Sequence, residues 1–155
     1  MTQLLENHRH REVLHLPNGT DVFPRFFDAD APYARDQIPD FGLYFDPAWQ
    51  PPWLHRHILW PDFGLPVADT ELIKALVGAL AKSRQGEQVE LGCLGGHGRT
   101  GTALALLAIL TGEPPENAIA WVRTHYCPKA IETPDQEAYV TNLAPLLSAI
   151  ASSDA

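Results

Sequence analysis

Eleven residues past the middle of the chain constrain it more than any other stretch: Leu91-Gly92-Cys93-Leu94-Gly95-Gly96-His97-Gly98-Arg99-Thr100-Gly101. Five glycines in so short a span break regular structure, yet both flanks are regular. Gln88 to Leu91 reads as a short strand, and Thr100 to Leu110 as a helix that Gly112 and Pro114 end. A glycine-rich turn entering a helix points several backbone N–H groups into one hollow, and the helix N-terminus adds partial positive charge. The result is a cradle sized for a phosphate-like anion. Cys93 stands at its floor, where the field that holds an anion also favours the thiolate and makes the sulfur nucleophilic. Arg99 closes the loop with a planar fork that matches two phosphate oxygens and neutralises charge as a flattened transition state develops. Leu94, Gly95, Gly96, His97, Gly98 and Arg99 are therefore the predicted phosphate-binding residues.

The remaining chain places this unit in a layered fold. Before residue 66 the pattern is of short strands and loops: Glu12 to Leu16, an Asn18-Gly19 turn, Val22 to Phe26, Gly42 to Phe45 and Leu54 to Leu59. After it helices dominate. Leu72, Ile73, Leu76, Val77 and Leu80 recur at helical spacing behind an Asp69 cap, with Gly86 as the stop. A third helix is predicted over Pro115 to His125, and a fourth from Pro134 to about Ile150 with Thr133 as cap. Helices following strands imply an α/β, three-layer sandwich with a central mixed, partly parallel sheet flanked by helices. The connection from Phe45 to Leu54, which carries Asp46-Pro47-Ala48-Trp49-Gln50-Pro51-Pro52-Trp53, is shorter than an ordinary helical crossover and does not fix how the first sixty residues connect.

Length and charge bound the partners. A chain of 155 residues with 45% apolar content is enough for one domain, read as residues 1–155. Eleven Lys and Arg against nineteen Asp and Glu leave a net charge of −8, which disfavours a broad nucleic-acid or anionic-membrane footprint. Any anion site is local. No apolar run approaches a membrane span, and Met1 to Arg11 lacks a secretory pattern, so the cytoplasm is the expected location. Cys93 and Cys127 are too few for a disulfide framework and lack metal-ligand spacing, so no metal and no cofactor are expected.

Cys93, five intervening residues, Arg99 and Thr100 resemble the signature loop of the cysteine-dependent protein tyrosine and dual-specificity phosphatases, and Gly96, Gly98 and Gly101 match the same pattern. An independent upstream stretch, Trp60-Pro61-Asp62-Phe63-Gly64-Leu65-Pro66, whose Asp62 lies thirty-one residues before the cysteine, is similar to that family's mobile acid loop. A softer match, Ala130-Ile131-Glu132-Thr133-Pro134-Asp135-Gln136, looks like the segment carrying a water-positioning glutamine. The resemblance implies a phosphomonoester hydrolase working through a phosphocysteine, with a phosphorylated substrate, most naturally a phosphoprotein. On that reading Cys93 attacks phosphorus, Asp62 protonates the leaving group, Arg99 and the loop amides hold the equatorial oxygens, Thr100 assists the sulfur and Gln136 orients water.

One position departs from the family: Gly92 stands where a histidine normally precedes the nucleophile and helps fix the loop. Gly92 leaves open a phosphate-recognising binding module with decayed catalysis, and the loop spacing leaves open a thiol redox or arsenate reductase-like enzyme, which uses loops of the same spacing. Other residues also carry double readings. His97 is either a cation at the loop's crown or a solvated residue. Gln136 completes a capping box with Thr133 and so has a structural alternative. Trp49, Trp53 and Phe63 either line the mouth of the site or pack. His55, Arg56, His57, Arg123 and His125 either give the cleft basic character or are solvated. Cys127 reads as a buried thiol.

Overall fold

The computed structural model describes residues 13–153. The N-terminal segment and Glu12, the start of the first predicted strand, lie outside them. In chain order the elements are β1 (Leu14–His15), β2 (Asp21–Arg25), β3 (Phe41–Tyr44), β4 (His55–His57), α1 (Asp69–Arg84), β5 (Val89–Gly92), α2 (Gly98–Leu110), a 3-10 turn (Pro115–Asn117), α3 (Ala118–His125) and α4 (Pro134–Ser153). The strands form one mixed sheet in the order β1-β2-β5-β3-β4. Only the β1–β2 pair is antiparallel; β5 pairs parallel with both neighbours, Pro24 and Leu43 lying opposite Leu91. The chain is α/β, a mixed five-stranded sheet with flanking helices, as the alternation of strand and helix predicts.

Side chains alternate across each strand, and the two faces are covered differently. Leu43 and Leu91 join one core with Leu72, Leu76 and Leu80 of α1 and Leu104 and Leu107 of α2. Helix α2 is buried along its whole length, because α3 and α4 pack over it in turn. On the other face stand Tyr44 and Glu90. Arg35 holds the buried Glu90 carboxylate by two bonds, 2.6 Å from Nε and 3.1 Å from Nη2, and the Tyr44 hydroxyl donates a third at 3.0 Å. Trp49 stacks on Tyr44 with centroids 4.3 Å apart, and Trp53 Nε1 donates to the Tyr44 hydroxyl at 2.8 Å. The Pro- and Trp-rich connection therefore explains the short crossover. β3 and β4 are parallel neighbours, Gly42 opposite His55, joined without a helix by an aromatic strap that packs against the sheet.

Two local expectations are corrected. Asp69 does not cap α1: Ala68 occupies the cap with no side-chain bond, and Asp69 is the first helical residue, its carboxylate accepting from the Tyr139 hydroxyl at 2.7 Å. A tertiary partner has outcompeted the local cap. The helix predicted from Pro115 starts as a tighter 3-10 turn, the proline supplying a fixed φ but no N–H.

Candidate active site

The parallel strands β2, β3, β4 and β5 all point the same way, so the loops leaving their C-terminal ends meet at one edge of the sheet, the usual place for a site in such sheets. Two of these loops carry the predicted chemistry, Trp60 to Gly64 beyond β4 and Cys93 to Gly98 after β5, and Phe45-Asp46 after β3 joins them. The sequence-predicted residues are thus brought together by topology.

Cys93 sits at the floor of the loop, 3% exposed, and its sulfur accepts the Gly96 N–H at 3.2 Å. Gly96 has a φ of 76°, which a side chain would strain, and it turns the loop back over the sulfur. Arg99, 2% exposed, donates from Nη1 to Phe45 O at 2.9 Å, Asp46 Oδ2 at 3.0 Å and Trp60 O at 3.0 Å. Its Nη2 lies 3.5 Å from Asp62 Oδ1. One guanidinium thus bridges the end of β3 and the acid loop. The Arg99 Nε is buried with no hydrogen-bond partner among the described residues, and so is the Thr100 hydroxyl. The sulfur contact expected of Thr100 is made by Gly96.

Asp62 is half-exposed at the tip of its loop. Trp60, buried below it, donates from Nε1 to Gly64 O at 2.8 Å and fixes the turn. Gln136 is fully buried: its Nε2 donates to Gly64 O at 3.2 Å and its Oε1 accepts the Glu132 N–H at 2.9 Å. Its own N–H bonds Thr133 Oγ1 at 3.0 Å, half of the predicted capping box. Its amide therefore ties the acid loop to the start of α4 beside Gly98. His97 is half-buried, and its carbonyl accepts from Gly101 N at 3.1 Å and Ile131 N at 3.0 Å.

Trp49 and Trp53 are packed inside the aromatic strap, whereas Phe63 is exposed. Phe63, Arg123, Lys129, Ile131 and Glu132 line a cavity of about 470 Å³ beside the loop. Arg123 holds the segment below that cavity, donating to Ala130 O and Ile131 O at 2.9 Å each. Arg56 pairs with Glu71, His55 with Trp53 O and His57 with Trp49 O, so these three stabilise the strap and helix α1. Cys127 is buried, and burial raises its thiol pKa above the ordinary value. Among the described residues no group of three or more His, Cys, Asp or Glu side chains is placed to hold a metal ion.

Three residues escape the sequence reading of the site, Asp46, Tyr126 and Glu132, and Trp49 has a contact there that the sequence did not indicate. Asp46 pairs with Arg99, Trp49 Nε1 donates to Cys93 O at 3.0 Å, and the Tyr126 hydroxyl donates to Gly96 O at 2.7 Å. Glu132 completes the set. A Cβ placed on Gly98 would lie 2.5 Å from its Oε1, so the carboxylate lies directly against the loop. Burial, then the charge of Asp62, raises its pKa above the ordinary carboxylate range, while the Gly98 N–H and Arg99 pull it back. Phe63 and Ile131 are the described non-glycine residues with positive φ, 58° and 65°, and each adjoins a carboxylate of the site, Asp62 and Glu132. Strain of this kind persists where surrounding structure holds a functional group in place.

No family model matches the chain. The uncharacterized proteins MJECL20 and MJ0215 of Methanocaldococcus jannaschii are 45% and 42% identical over 80 residues, 51% of this chain and 52% and 48% of theirs. The chain thus spans about half the length of the curated relatives it matches. Among solved structures, Tk-PTP in its active form aligns with a TM-score of 0.68 and 25% identity, over 80% of this chain and 91% of its own. Kinase associated phosphatase aligns at 0.71 and 16% identity, over 89% and 95%. PTPMT1 in complex with PI(5)P aligns at 0.68 and 14% identity, over 91% and 99%. The fold is that of these phosphatases. Their sheet and helices correspond to those described above, and no helix among the described residues is long and apolar enough to cross a membrane.

Proposed function

We propose that this chain is a cysteine-dependent phosphomonoesterase of the tyrosine or dual-specificity type, acting through a phosphocysteine. The observation that carries the reading is that the loop holding the Cys93 sulfur under the Gly96 N–H also sets its Arg99 guanidinium 3.5 Å from the carboxyl of the sequence-distant Asp62. A binding module would have no use for that carboxyl.

In the first step the Cys93 thiolate attacks phosphorus in line, the P–S bond forms and the P–O ester bond breaks. Asp62 gives its proton to the departing oxygen. The amides of residues 94 to 99 and the guanidinium hold the three equatorial oxygens; the orphaned Arg99 Nε–H is a donor that an incoming oxyanion would satisfy. In the second step water attacks phosphorus, its proton passes to a carboxylate, and the P–S bond breaks to release inorganic phosphate and the thiolate. The Gly96 N–H supports the leaving sulfur, with the unpartnered Thr100 hydroxyl available at the start of α2, and Gln136 acts from below by holding the acid loop through Gly64 O.

Glu132 joins Asp62 in this scheme. Burial, then the charge of Asp62, raises the Glu132 pKa, so Glu132 holds its proton more readily than a solvated carboxyl and stands beside Asp62 as a second acid of the site. Any water attacking above the loop meets this pair. The substrate is a phosphorylated molecule, with a phosphoprotein as the leading class.

The test is hydrolysis of an aryl phosphate by the full chain, with orthovanadate as inhibitor and rapid-quench trapping of the phosphoenzyme. Turnover that disappears in Cys93→Ser, together with a trapped phosphocysteine in the parent, is expected. Phosphate binding without turnover favours a binding module, and thiol-dependent arsenate reduction favours a redox enzyme; either result overturns the proposal.

A further inference from the structure

Gly92 removes a side chain beside the nucleophile, and the structure gives what replaces it. A Cβ built on Gly92 would lie 2.8 Å from Cζ2 and 3.0 Å from Cε2 of Trp49. The indole therefore fills the volume into which a side chain at 92 would project. Its N–H reaches the carbonyl of the next residue, Cys93, at 3.0 Å. The ring has little freedom: it is fully buried, stacks on Tyr44 at 4.3 Å and 9°, and meets the edge of Phe27 at 5.2 Å. Its backbone is held too, His57 Nε2 donating to Trp49 O at 2.6 Å.

The same arrangement recurs along the loop. Leu94 O accepts the Phe27 N–H at 2.9 Å, Gly96 O accepts the Tyr126 hydroxyl at 2.7 Å, and His97 O accepts from Gly101 and Ile131. All peptide bonds described are trans, so each carbonyl pinned against the surrounding protein turns the following N–H the opposite way. Pinning Cys93 O orients the Leu94 N–H, and pinning Gly96 O orients the His97 N–H. Two of these pins are side chains from distant elements, the β3–β4 strap and the end of α3. Burial, then the charges of Cys93 and Cys127, keep the Tyr126 hydroxyl protonated and hence a donor.

We infer that Trp49 and Tyr126 are the positioning residues of the anion cradle, hydrogen-bonding the Cys93 and Gly96 carbonyls so that the loop amides converge on the oxyanion, with the Trp49 indole standing in for a side chain at position 92. This deepens the phosphatase reading and rests on it for the identity of the anion. Neither residue touches substrate; each acts through a peptide plane. The strap has a double function, because its Asp46 pairs with Arg99 at 3.0 Å while its Trp49 bonds Cys93. One ten-residue connection, 45 to 54, thus sets both the guanidinium and the nucleophile.

The test uses Trp49→Phe, which retains a ring for the stack and loses the N–H, and Tyr126→Phe, which loses only the hydroxyl. Three quantities are read: the pH profile of Cys93 alkylation by iodoacetate, the affinity of Cys93→Ser backgrounds for inorganic phosphate by calorimetry, and the thermal midpoint. Each variant is expected to alkylate more slowly at neutral pH, with its profile displaced upward, and to bind phosphate about five- to thirtyfold more weakly, the effect of leaving one buried carbonyl unpaired. A further variant, Trp49→Ala with Gly92→His, refills the vacated volume from position 92 and is expected to recover part of the alkylation rate lost in Trp49→Ala alone. Phosphate affinity and alkylation profiles within twofold of the parent in both phenylalanine variants, or absence of phosphate binding and of Cys93-selective alkylation in the parent, overturn the inference. Phosphate binding that depends on Trp49 in a protein with no turnover would overturn the enzyme reading and leave this one standing.

Discussion

Gly98 and Gly101 lie one turn apart on α2, and the same substitution to alanine is expected to have opposite consequences at the two positions. Neither has the left-handed backbone that requires glycine, and alanine within a helix is favoured over glycine by up to about 1 kcal/mol. At Gly98 the new methyl meets Glu132 Oε1 at 2.5 Å and the Gln136 amide at 3.2 and 3.3 Å, all ends of side chains. The carboxylate must retreat by about 1 Å to reach ordinary contact, and a displacement of that size near reacting atoms costs up to roughly a hundredfold in rate. At Gly101 the methyl meets Ala130 Cβ at 2.8 Å, Ile131 N at 2.9 Å and Ala130 Cα at 3.0 Å, and Ile131 N is already bonded to His97 O. These atoms cannot swing aside. Overpacking of this kind costs about 1–3 kcal/mol, of which the helical preference returns up to about 1. At roughly 2–4 °C per kcal/mol for a chain of this size, Gly101→Ala should melt several degrees below the parent. Gly98→Ala should melt within a few degrees of the parent while its kcat/KM on an aryl phosphate falls ten- to a hundredfold. Calorimetric melting and steady-state kinetics on the two variants are sufficient. Parental kcat/KM in Gly98→Ala, or an unchanged or raised melting temperature in Gly101→Ala, would refute the packing argument.

Three further outcomes are expected. Asp62→Ala and Glu132→Ala each slow hydrolysis of a substrate with a poor leaving group, and the double variant loses about 10²–10⁴ in kcat; a Glu132→Ala enzyme with parental kcat on such a substrate removes Glu132 from the mechanism. Glu132→Gln should be more stable than the parent at neutral pH. The folded state raises the pKa of this carboxyl, so its charge opposes folding there; the advantage should close as pH falls below the unfolded carboxylate range, and a gap that widens in acid would contradict the electrostatic assignment. Iodoacetate at neutral pH should label Cys93 and spare Cys127, whose thiol burial holds in the neutral form, and Cys127→Ala should retain activity; peptide mapping that finds Cys127 labelled first reverses the assignment.

Local features can be read from the order of residues alone. Five glycines between an apolar strand and an apolar helix admit few backbone paths, so the loop, its order of Cys93 to Arg99 and the helix behind it were legible from spacing alone. The period of Leu72, Leu76 and Leu80 likewise announced α1. Which distant groups reach the loop depends on how the strands pair and pack. Asp46 and Trp49 sit in a stretch whose composition signals only a rigid connection, and their roles depend on β3 and β5 being parallel neighbours, a pairing that no short window encodes. Glu132 was visible only as a letter in the segment quoted for Gln136; the left-handed Ile131 and the bare Gly98 bring its carboxylate onto the loop. Gly92 is the plainest case. In the chain it is a missing side chain, and in three dimensions it is the space for an indole, because a hydrogen bond requires only that donor and acceptor meet, whichever strand or strap delivers them.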